Sequence, residues 1–422
     1  MNDTPWANRV HVGFFGRRNA GKSSLVNAVT GQDTAVVSAV KGTTTDPVFK
    51  AMEILPLGPA LIIDTPGIDD EGELGELRVR RAKRTLNKTN VAVLVIDAAA
   101  PNPGAEDGLY PGERELIGIF REKNIPHIIA LNKADLLGGP DAAGTPGEGN
   151  AASPPAPRPL ESALPVSAKT GVGVQELKER IAALAKTDDP RLRILGDLIR
   201  PGDFVVLVTP IDKAAPQGRL ILPQQQTIRD VLEADAAAVV VKEFELRETL
   251  EHLGKKPALV VTDSQVFAKV SADTPPEVPL TSFSILFARF KGFLAPAVRG
   301  VRALDALEDG DPILVCEGCT HHRQCDDIGT VKLPRWIRQH TGKNPAFVFR
   351  SGGDFPEDLA PYKLVLHCGA CMLGEREMKY RRDCAADQGV PFTNYGIAIA
   401  HIQGILRRSV AVFPHILAEL EE

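Results

Sequence analysis

The sequence has no excess of basic residues. Its 422 residues include 49 Lys and Arg against 54 Asp and Glu, which gives a net charge of −5. It contains no Lys/Arg-rich run and no basic patch interleaved with aromatic residues. Proteins that bind nucleic acids need such positive charge to neutralise phosphates. The composition therefore argues against a nucleic acid as a partner.

A secretion signal and a long uninterrupted apolar stretch are also missing. The first residues lack the basic-then-apolar layout of a signal peptide, and the most apolar later stretch, residues 284–301, contains Arg289, Lys291 and Arg299. A helix that spans a membrane needs about 20 consecutive apolar residues. We therefore expect a soluble, cytoplasmic protein with no membrane partner.

Cysteine is absent from the first 315 residues. All six cysteines lie within the last 107 residues, at Cys316, Cys319, Cys325, Cys368, Cys371 and Cys384. In a reducing compartment, thiols bind metals or act in redox chemistry more often than they form disulfides. The clustering predicts one thiolate site.

The apolar pattern predicts an α/β protein with three domains. In residues 1–187, short apolar strands alternate with helical segments, which predicts a mostly parallel sheet with helices on both faces. Residues 138–159 are mostly Gly, Pro and Ala, so we expect a flexible insertion there. Residues 188–275 form a predicted middle α/β domain, and residues 276–422 form a predicted α/β domain that contains the cysteines.

A phosphate-binding motif follows the first predicted strand. Residues 16–23 fit the pattern GxxxxGKS and precede a predicted helix. In such a loop the glycines let backbone N–H groups surround the phosphates, Lys22 meets the β/γ oxygens, and Ser23 ligates Mg²⁺. We expect this loop to bind a nucleotide through Gly16, Asn19, Ala20, Gly21, Lys22, Ser23 and Ser24.

Further motifs complete the nucleotide site. Asp64 follows a predicted strand, where an acid can hold Mg²⁺ through water, and the Gly67 amide can sense the γ-phosphate. The carboxylate of Asp135, in the NKAD motif, can accept both N–H groups on the edge of guanine, which adenine cannot supply. This motif therefore favours GTP over ATP. The predicted base pocket consists of Asn132, Lys133, Asp135, Ser167, Ala168 and Lys169.

These motifs, in this order, resemble those of the TRAFAC-class GTPases close to Era and MnmE. The resemblance implies that Thr44, or alternatively Thr43, is a Mg²⁺ ligand. It makes Lys22, Thr44, Asp64 and Gly67 the candidate catalytic residues. Ras-like enzymes carry a water-orienting glutamine where this chain has Ile68, so we expect slow hydrolysis. The resemblance also implies K⁺ binding at Asn19, for which an ordinary surface-turn asparagine is the alternative.

Two separated cysteine segments predict a metal centre near the end of the chain. Cys368 and Cys371 form a CxxC turn after a predicted strand, and Cys319 comes from a distant loop. Their spacing suits tetrahedral zinc completed by His321 or His367 as well as it suits an iron–sulfur cluster. Buried cysteines without a ligand are a third interpretation.

The CxH and HCxxC segments downstream of an Era-like GTPase resemble the HydF family of [FeFe]-hydrogenase maturation GTPases. The resemblance extends along essentially the whole chain. It implies a [4Fe–4S] cluster on Cys319, Cys368 and Cys371, with a labile fourth iron position. Both histidines of these segments have a structural alternative, as residues that are hydrogen-bonded within a loop. The candidates for the fourth ligand are His321, Cys325, Asp326, His367 and solvent.

The same resemblance implies a cargo and partners. The cargo would be a diiron precursor, and the partners would be apo-[FeFe]-hydrogenase and the radical-SAM maturases HydE and HydG. It also implies a homodimer formed by the middle domain. One alternative is an Era/MnmE-like RNA-related GTPase with a structural zinc module, against which the acidic charge argues. The other is a metallochaperone GTPase that inserts a single ion, whose usual His-rich tract is absent here.

Overall fold

The structure is a computed structural model that describes residues 4–31, 47–67, 85–137, 163–185, 193–211, 220–318 and 327–420. The chain divides into two compact units, Met1–Asp189 and Pro190–Glu422. Among the helices in these ranges, none is long and apolar enough to cross a membrane. The insertion predicted at residues 138–159 lies outside the described residues.

The first unit is built on a six-stranded sheet. Its strands are β1 (Val10–Phe15), β2 (Val48–Ile54), β3 (Gly58–Asp64), β4 (Val91–Asp97), β5 (His127–Asn132) and β6 (Leu164–Pro165). Their order across the sheet is β2-β3-β1-β4-β5-β6. Strand β2 runs antiparallel to β3, and the other neighbours are parallel. The mostly parallel sheet predicted from the sequence is confirmed.

Helices cover this sheet on both faces. The helices described in this unit are α1 (Lys22–Thr30), α2 (Pro111–Glu122) and α3 (Val174–Ala185). Along β4, Val91, Val93 and Val95 pack into one apolar cluster, whereas the intervening Ala92, Leu94 and Ile96 pack into another. Burial of both faces is typical of a parallel strand between two helical layers.

The second unit begins with a four-stranded parallel sheet. Its strands are β7 (Phe204–Val208), β8 (Ala237–Val241), β9 (Leu259–Thr262) and β10 (Leu280–Ser282), in the order β10-β9-β7-β8. The helices here are α4 (Leu222–Glu233), α5 (Leu246–His252), α6 (Phe267–Asp273) and α7 (Phe283–Phe290).

A second four-stranded parallel sheet completes this unit. Its strands are β11 (Pro312–Glu317), β12 (Ala346–Ser351), β13 (Leu364–His367) and β14 (Phe392–Asn394), in the order β12-β11-β13-β14. Its helices are α8 (Leu294–Gly300), α9 (Leu333–Thr341), α10 (Glu375–Asp387), α11 (Tyr395–Ile402), α12 (Leu406–Val410) and α13 (Pro414–Ala418).

The two sheets of the second unit share one continuous apolar core, which contains residues from Ile194 to Ile416. The domain boundary expected near residue 275 therefore stays a prediction. Helix α8 ends at Gly300 and is followed by a 3₁₀ turn, Val301–Leu304.

Candidate functional site

The phosphate loop lies between β1 and α1, and it requires glycine at two positions. Gly16 has a φ of +143° and Gly21 a φ of +85°. A Cβ atom at Gly16 would lie 2.2 Å from the Val95 carbonyl oxygen, and one at Gly21 would lie 2.2 Å from Nδ2 of Asn132. Only glycine fits this backbone and this space. The loop is therefore held tightly at the carboxyl ends of β4 and β5.

Lys22 and Ser23 occupy the first turn of α1, as the motif predicts. The Lys22 side chain is buried, and its Nζ donates hydrogen bonds to the backbone oxygens of Gly16 at 3.0 Å and Arg17 at 2.7 Å. It therefore lies within the loop, where a β/γ-phosphate would bind.

Ser23 and Asp64 form a cluster of oxygen atoms that fits Mg²⁺. The Ser23 hydroxyl donates a hydrogen bond to Oδ2 of Asp64 at 2.5 Å. The other carboxylate oxygen, Oδ1, is buried and has no hydrogen-bond partner among the described residues. Burial raises the pKa of Asp64, and the Ser23 hydrogen bond, Lys22 and Lys50 oppose that shift. Mg²⁺ prefers carboxylate and hydroxyl oxygens, so the two side chains fit this ion.

The base pocket is connected to the phosphate loop through Asn132. Its Nδ2 donates to the Ala20 carbonyl oxygen at 3.0 Å, and its Oδ1 accepts from the Ala168 amide at 3.1 Å. Next to it, Asp135 accepts a hydrogen bond from the Ser167 hydroxyl at 2.7 Å. The structure thus brings the NKAD and SAK segments together around one pocket, with the Asp135 carboxylate fixed in it.

The remaining predicted nucleotide residues are placed as follows. Asn19 lies in the loop in a left-handed conformation, with a φ of 62°. Gly67 packs so closely on the Arg18 backbone that a Cβ atom would lie 2.7 Å away. Ser24 and Lys169 are exposed, and Lys133 pairs with Asp97. The switch threonines Thr43 and Thr44, as well as Ile68, lie outside the described residues.

Gly318 lies against the CxxC turn at the carboxyl edge of the second sheet of unit two. The Gly318 amide donates a hydrogen bond to Sγ of Cys368 at 3.0 Å, and the Ala370 amide is 3.4 Å from the same sulfur. Gly318 directly precedes Cys319 in the chain. Cys319 itself lies outside the described residues. Gly318, the residue before Cys319, contacts the sulfur of Cys368.

A buried cation lies beside the CxxC turn. Lys291 is 4% exposed, and its Nζ donates to the Leu373 carbonyl oxygen at 2.8 Å. Burial lowers the pKa of Lys291 to about 8, whereas Glu375 and Cys371 raise it. A positive charge and amide donors close to sulfur atoms stabilise thiolates and tune what they bind.

His367 is held by protein groups at both ring nitrogens. Nδ1 lies 2.9 Å from the Cys368 carbonyl oxygen, and Nε2 lies 3.0 Å from Nη1 of Arg381. Burial and then the Arg381 charge lower the pKa of His367 to about 3. A neutral ring that donates at Nδ1 and accepts at Nε2 satisfies both contacts. This geometry favours the structural interpretation of His367 over a role as a metal ligand.

The two other cysteines that the structure describes have different surroundings. Cys316 is fully buried in β11, and burial raises its pKa to about 12. Cys384 lies on α10, where Nε2 of Gln388 is 3.3 Å from its sulfur. Like Cys368 and Cys371, both are free thiols. The remaining candidates, His321, Cys325 and Asp326, lie outside the described residues.

An orphaned polar atom borders the cysteines. The Tyr395 hydroxyl is buried and finds no hydrogen-bond partner in the described part of the chain. Burial and then the neighbouring Cys368 raise its pKa. Such a group is costly unless something binds near it. It fits a centre that receives a further group beside Cys368.

Sequence reasoning missed the residues that support this centre, namely Gly318, Lys291, Arg381 and Tyr395. The run Ile313–Cys316 could have indicated β11, and with it the position of Gly318 at a strand end. Lys291 and Arg381 gave no signal because their burial is a property of the fold.

Comparisons with known proteins agree with the geometry of the first unit. Residues 11–133 match the family model described as 50S ribosome-binding GTPase. The tRNA modification GTPase MnmE of Synechococcus sp. is 35% identical over 182 residues, which are 43% of this chain and 35% of that protein. GTPase Der of Sulfurimonas denitrificans is 33% identical over 133 residues, which are 31% of this chain and 25% of that protein. The chain spans about a third of the length of the curated relatives it matches.

Solved structures with likeness to this chain are GTP-binding proteins. A crystal structure of a probable GTP-binding protein engB matches with a TM-score of 0.32 and 25% identity, covering 42% of this chain and 99% of that one. Era from Aquifex aeolicus, bound to GDP and AlF4⁻, matches with a TM-score of 0.33 and 21% identity, covering 58% of this chain and 98% of that one.

The strand order, the phosphate loop and the family match define the first unit as a P-loop GTPase domain, a class whose ligands are GTP and Mg²⁺. In the second unit, residues 194–292 match the Hydrogen maturase F dimerization domain, and residues 295–412 match the Hydrogen maturase F tetramerization domain. The chain belongs to the hydrogen maturase F (HydF) family, as the resemblance of its motifs implied.

Proposed function

We propose that this chain is a cytoplasmic hydrogenase maturation GTPase and iron–sulfur scaffold. In this proposal Cys319, Cys368 and Cys371 hold a [4Fe–4S] cluster, and the protein carries a diiron precursor of the [FeFe]-hydrogenase active site to the apo-hydrogenase. The observation that carries the proposal is the 3.0 Å hydrogen bond from the Gly318 amide to Sγ of Cys368. This contact supports the proposal because Gly318 directly precedes Cys319 in the chain.

The protein groups around this centre suit three thiolates. The cluster, when bound, would supply an iron with an exchangeable position at which a precursor can be held and later released. The Gly318 and Ala370 amides donate to Cys368, and Lys291 places positive charge beside Cys371. These groups offset the negative charge of the sulfurs in a partly buried position. Either His321, Cys325, Asp326 or solvent would complete the set.

The GTPase domain would regulate the exchange of partners. In the proposal Ser23 and Thr44 ligate Mg²⁺, Asp64 holds it through water, and Lys22 and the Gly67 amide contact the phosphates. A switch segment around Thr44 that orders with GTP would bias contacts with HydE, HydG and the apo-hydrogenase.

Infrared spectroscopy tests cargo carriage most directly. We expect the full chain, co-expressed with the other maturases and purified without oxygen, to show Fe–CO and Fe–CN bands together with iron and sulfide. Protein that is well loaded with iron but lacks these bands would refute carriage. A colourless zinc protein would refute the iron–sulfur scaffold altogether.

K⁺ activation is a second prediction from the nucleotide site. Asn19 lies in the phosphate loop in a left-handed conformation, and we propose that it coordinates K⁺ there. A cation there would supply charge stabilisation of the kind that a cationic finger gives, so turnover in KCl should exceed turnover in NaCl by about tenfold or more. Asn19→Ala should remove the difference. Equal rates of GTP hydrolysis in the two salts would refute K⁺ binding.

We propose that the chain self-associates as a homodimer through the edge strand β8. This strand ends its sheet in the described chain, and its face carries the half-exposed Val240. Leu232 and Phe244 are exposed next to it in sequence, at 59% and 78%. An apolar surface at a sheet edge is a typical site for association. Analytical ultracentrifugation of the full chain checks this, and a monomer at micromolar concentration would contradict it.

A further inference from the structure

A second group of metal-ligating side chains lies in unit two, apart from the cysteines. Nε2 of His340 is 2.9 Å from Oδ1 of Asp305, and Nε2 of His401 is 2.9 Å from Oδ2 and 3.1 Å from Oδ1 of the same carboxylate. The three ligand atoms all lie within 4.8 Å of one another. We infer that Asp305, His340 and His401 form a binding site for one divalent transition-metal ion.

This site lies at the amino ends of the strands of the second sheet, whereas the CxxC cysteines lie at the carboxyl ends. Asp305 follows the 3₁₀ turn that ends shortly before β11, His340 is in the last turn of α9 before β12, and His401 is in the last turn of α11. Helices that connect parallel strands run back along the sheet, so their carboxyl ends meet at its amino edge. Cys368, by contrast, follows the carboxyl end of β13. The inference therefore does not depend on the proposed cluster.

The position also favours a cation electrostatically. The carboxyl end of a helix carries partial negative charge from its unpaired carbonyl groups, and this charge attracts cations within the last turn. Both histidines occupy such a position. Although burial raises the pKa of Asp305, hydrogen bonds from His340 and His401 lower it, and the net shift is downward. The carboxylate is therefore ionised at neutral pH and available as a ligand.

The donor set and its spacing suit a first-row ion. Imidazole nitrogen and carboxylate oxygen bind Zn²⁺, Fe²⁺, Co²⁺ and Ni²⁺, with bonds of about 2.0–2.2 Å to zinc. Two ligands at that distance in a tetrahedral site are roughly 3.3 Å apart. The observed separations of 2.9 to 3.1 Å between nitrogen and oxygen need to open by only a few tenths of an ångström.

Metal entry requires only a proton exchange at the histidines. Without metal, each Nε2–H donates to the carboxylate, so the cluster is held closed by hydrogen bonds. On binding, each ring moves its proton to Nδ1, or loses one if it is protonated, and Nε2 turns its lone pair to the ion. The side chains of His340 and His401 are 27% and 23% exposed, and that of Asp305 is 52% exposed, so an ion can reach them without unfolding. At least one coordination position stays open to water or to a partner's ligand.

Co²⁺ alone is the probe that distinguishes this site from the cysteines. Thiolate-bound Co²⁺ gives an intense sulfur-to-metal charge-transfer band, whereas nitrogen and oxygen ligands give only weaker d–d bands. We expect the full chain, reconstituted with iron and sulfide, to bind one further Co²⁺ with d–d bands and no new charge-transfer band. Since loss of an outer partner weakens metal binding by about 10–100-fold, His401→Gln, which loses a ligand, should weaken it at least about tenfold.

The matched control is His252→Gln, which changes an exposed histidine at the end of α5, far from Asp305 in sequence. Its Co²⁺ affinity should equal that of the unchanged chain. Equal affinities of the two variants, or a titration in which all Co²⁺ shows thiolate bands, would overturn the inference. A glutamine at 401 can still donate to Asp305, so the fold is expected to survive.

A second measurement needs no variant. Zn²⁺ added to the unchanged chain should shift the imidazole Nε2 resonances of His340 and His401 in long-range ¹H–¹⁵N spectra and leave those of His252 in place. Unshifted resonances at saturating Zn²⁺ would show that Asp305 and the two histidines are only a hydrogen-bonded cluster that joins the ends of α9 and α11. Infrared bands from cargo do not enter either test, so failure here leaves the proposed maturation role intact.

Discussion

Serine in place of Cys368 is expected to leave the purified chain with about a tenth or less of its iron and sulfide. Even loss of a partner outside the ligand shell weakens metal binding by about 10–100-fold, so loss of one of three thiolates should do at least as much. Cys368 is also the sulfur that receives the Gly318 and Ala370 amides. Serine cannot replace Cys368, because the Cβ–O bond of serine is shorter than the Cβ–S bond of cysteine and a hydroxyl oxygen is a poor ligand for iron. Iron and sulfide per chain, measured after anaerobic reconstitution, give the result.

Cys384→Ser is the control for this prediction. Cys384 lies on α10 next to Gln388, and its side chain is half-buried, like that of Cys368. The control should keep the full iron content. Both variants should hydrolyse GTP at the unchanged rate, because the GTPase domain is a separate compact unit. Full iron in Cys368→Ser, or equal losses in the two variants, would remove Cys368 from the cluster.

The GTPase domain was predictable because its chemistry depends on contiguous motifs. The phosphate loop, Asp64 and the NKAD motif each come at the end of an apolar strand, so the same residues indicated the strand and the site. The strand β2 escaped prediction because most of its residues are exposed or only partly buried, which blurs the alternation of apolar and polar positions.

For the cysteine centre, the sequence predicted which residues are candidate ligands but not how they are packed. The sequence showed that Cys368 and Cys371 belong together, but it could not show that the Cys316 side chain packs into the apolar core. Nor could it separate the two interpretations of His367, because the deciding contact comes from Arg381, on a helix that follows the CxxC turn. Such contacts are set by the packing of distant segments, and single-sequence patterns carry no information about them.

Asp135→Asn is expected to reduce kcat/KM for GTP by about 10²–10⁴-fold. The carboxylate of Asp135 accepts the two N–H groups of guanine, whereas asparagine turns an NH₂ donor toward one of them. Leaving one hydrogen-bonding group unmatched costs about 1–3 kcal/mol, and more when a partner is charged, so disturbing the two contacts of this carboxylate should cost about 3–5 kcal/mol. Xanthine carries a carbonyl oxygen where guanine carries its amino group. The variant should therefore hydrolyse xanthosine triphosphate better than GTP.

We expect Asp135→Asn to leave the structure of the base pocket unchanged. A change of nucleotide specificity in this variant would therefore test whether Asp135 recognises guanine. Ser167 donates to Oδ1 of Asp135 at 2.7 Å, and an asparagine oxygen can accept the same hydrogen bond. Asp107→Asn is the matched control, because it alters a partly exposed aspartate that pairs with Arg114 on the surface of the same domain. Exposed pairs contribute little, so its GTP turnover should be unchanged. The measurement is steady-state hydrolysis of GTP and of xanthosine triphosphate by the unchanged chain, Asp135→Asn and Asp107→Asn. If Asp135→Asn lost GTP turnover without gaining turnover of xanthosine triphosphate, the carboxylate would support the fold and would not read the base.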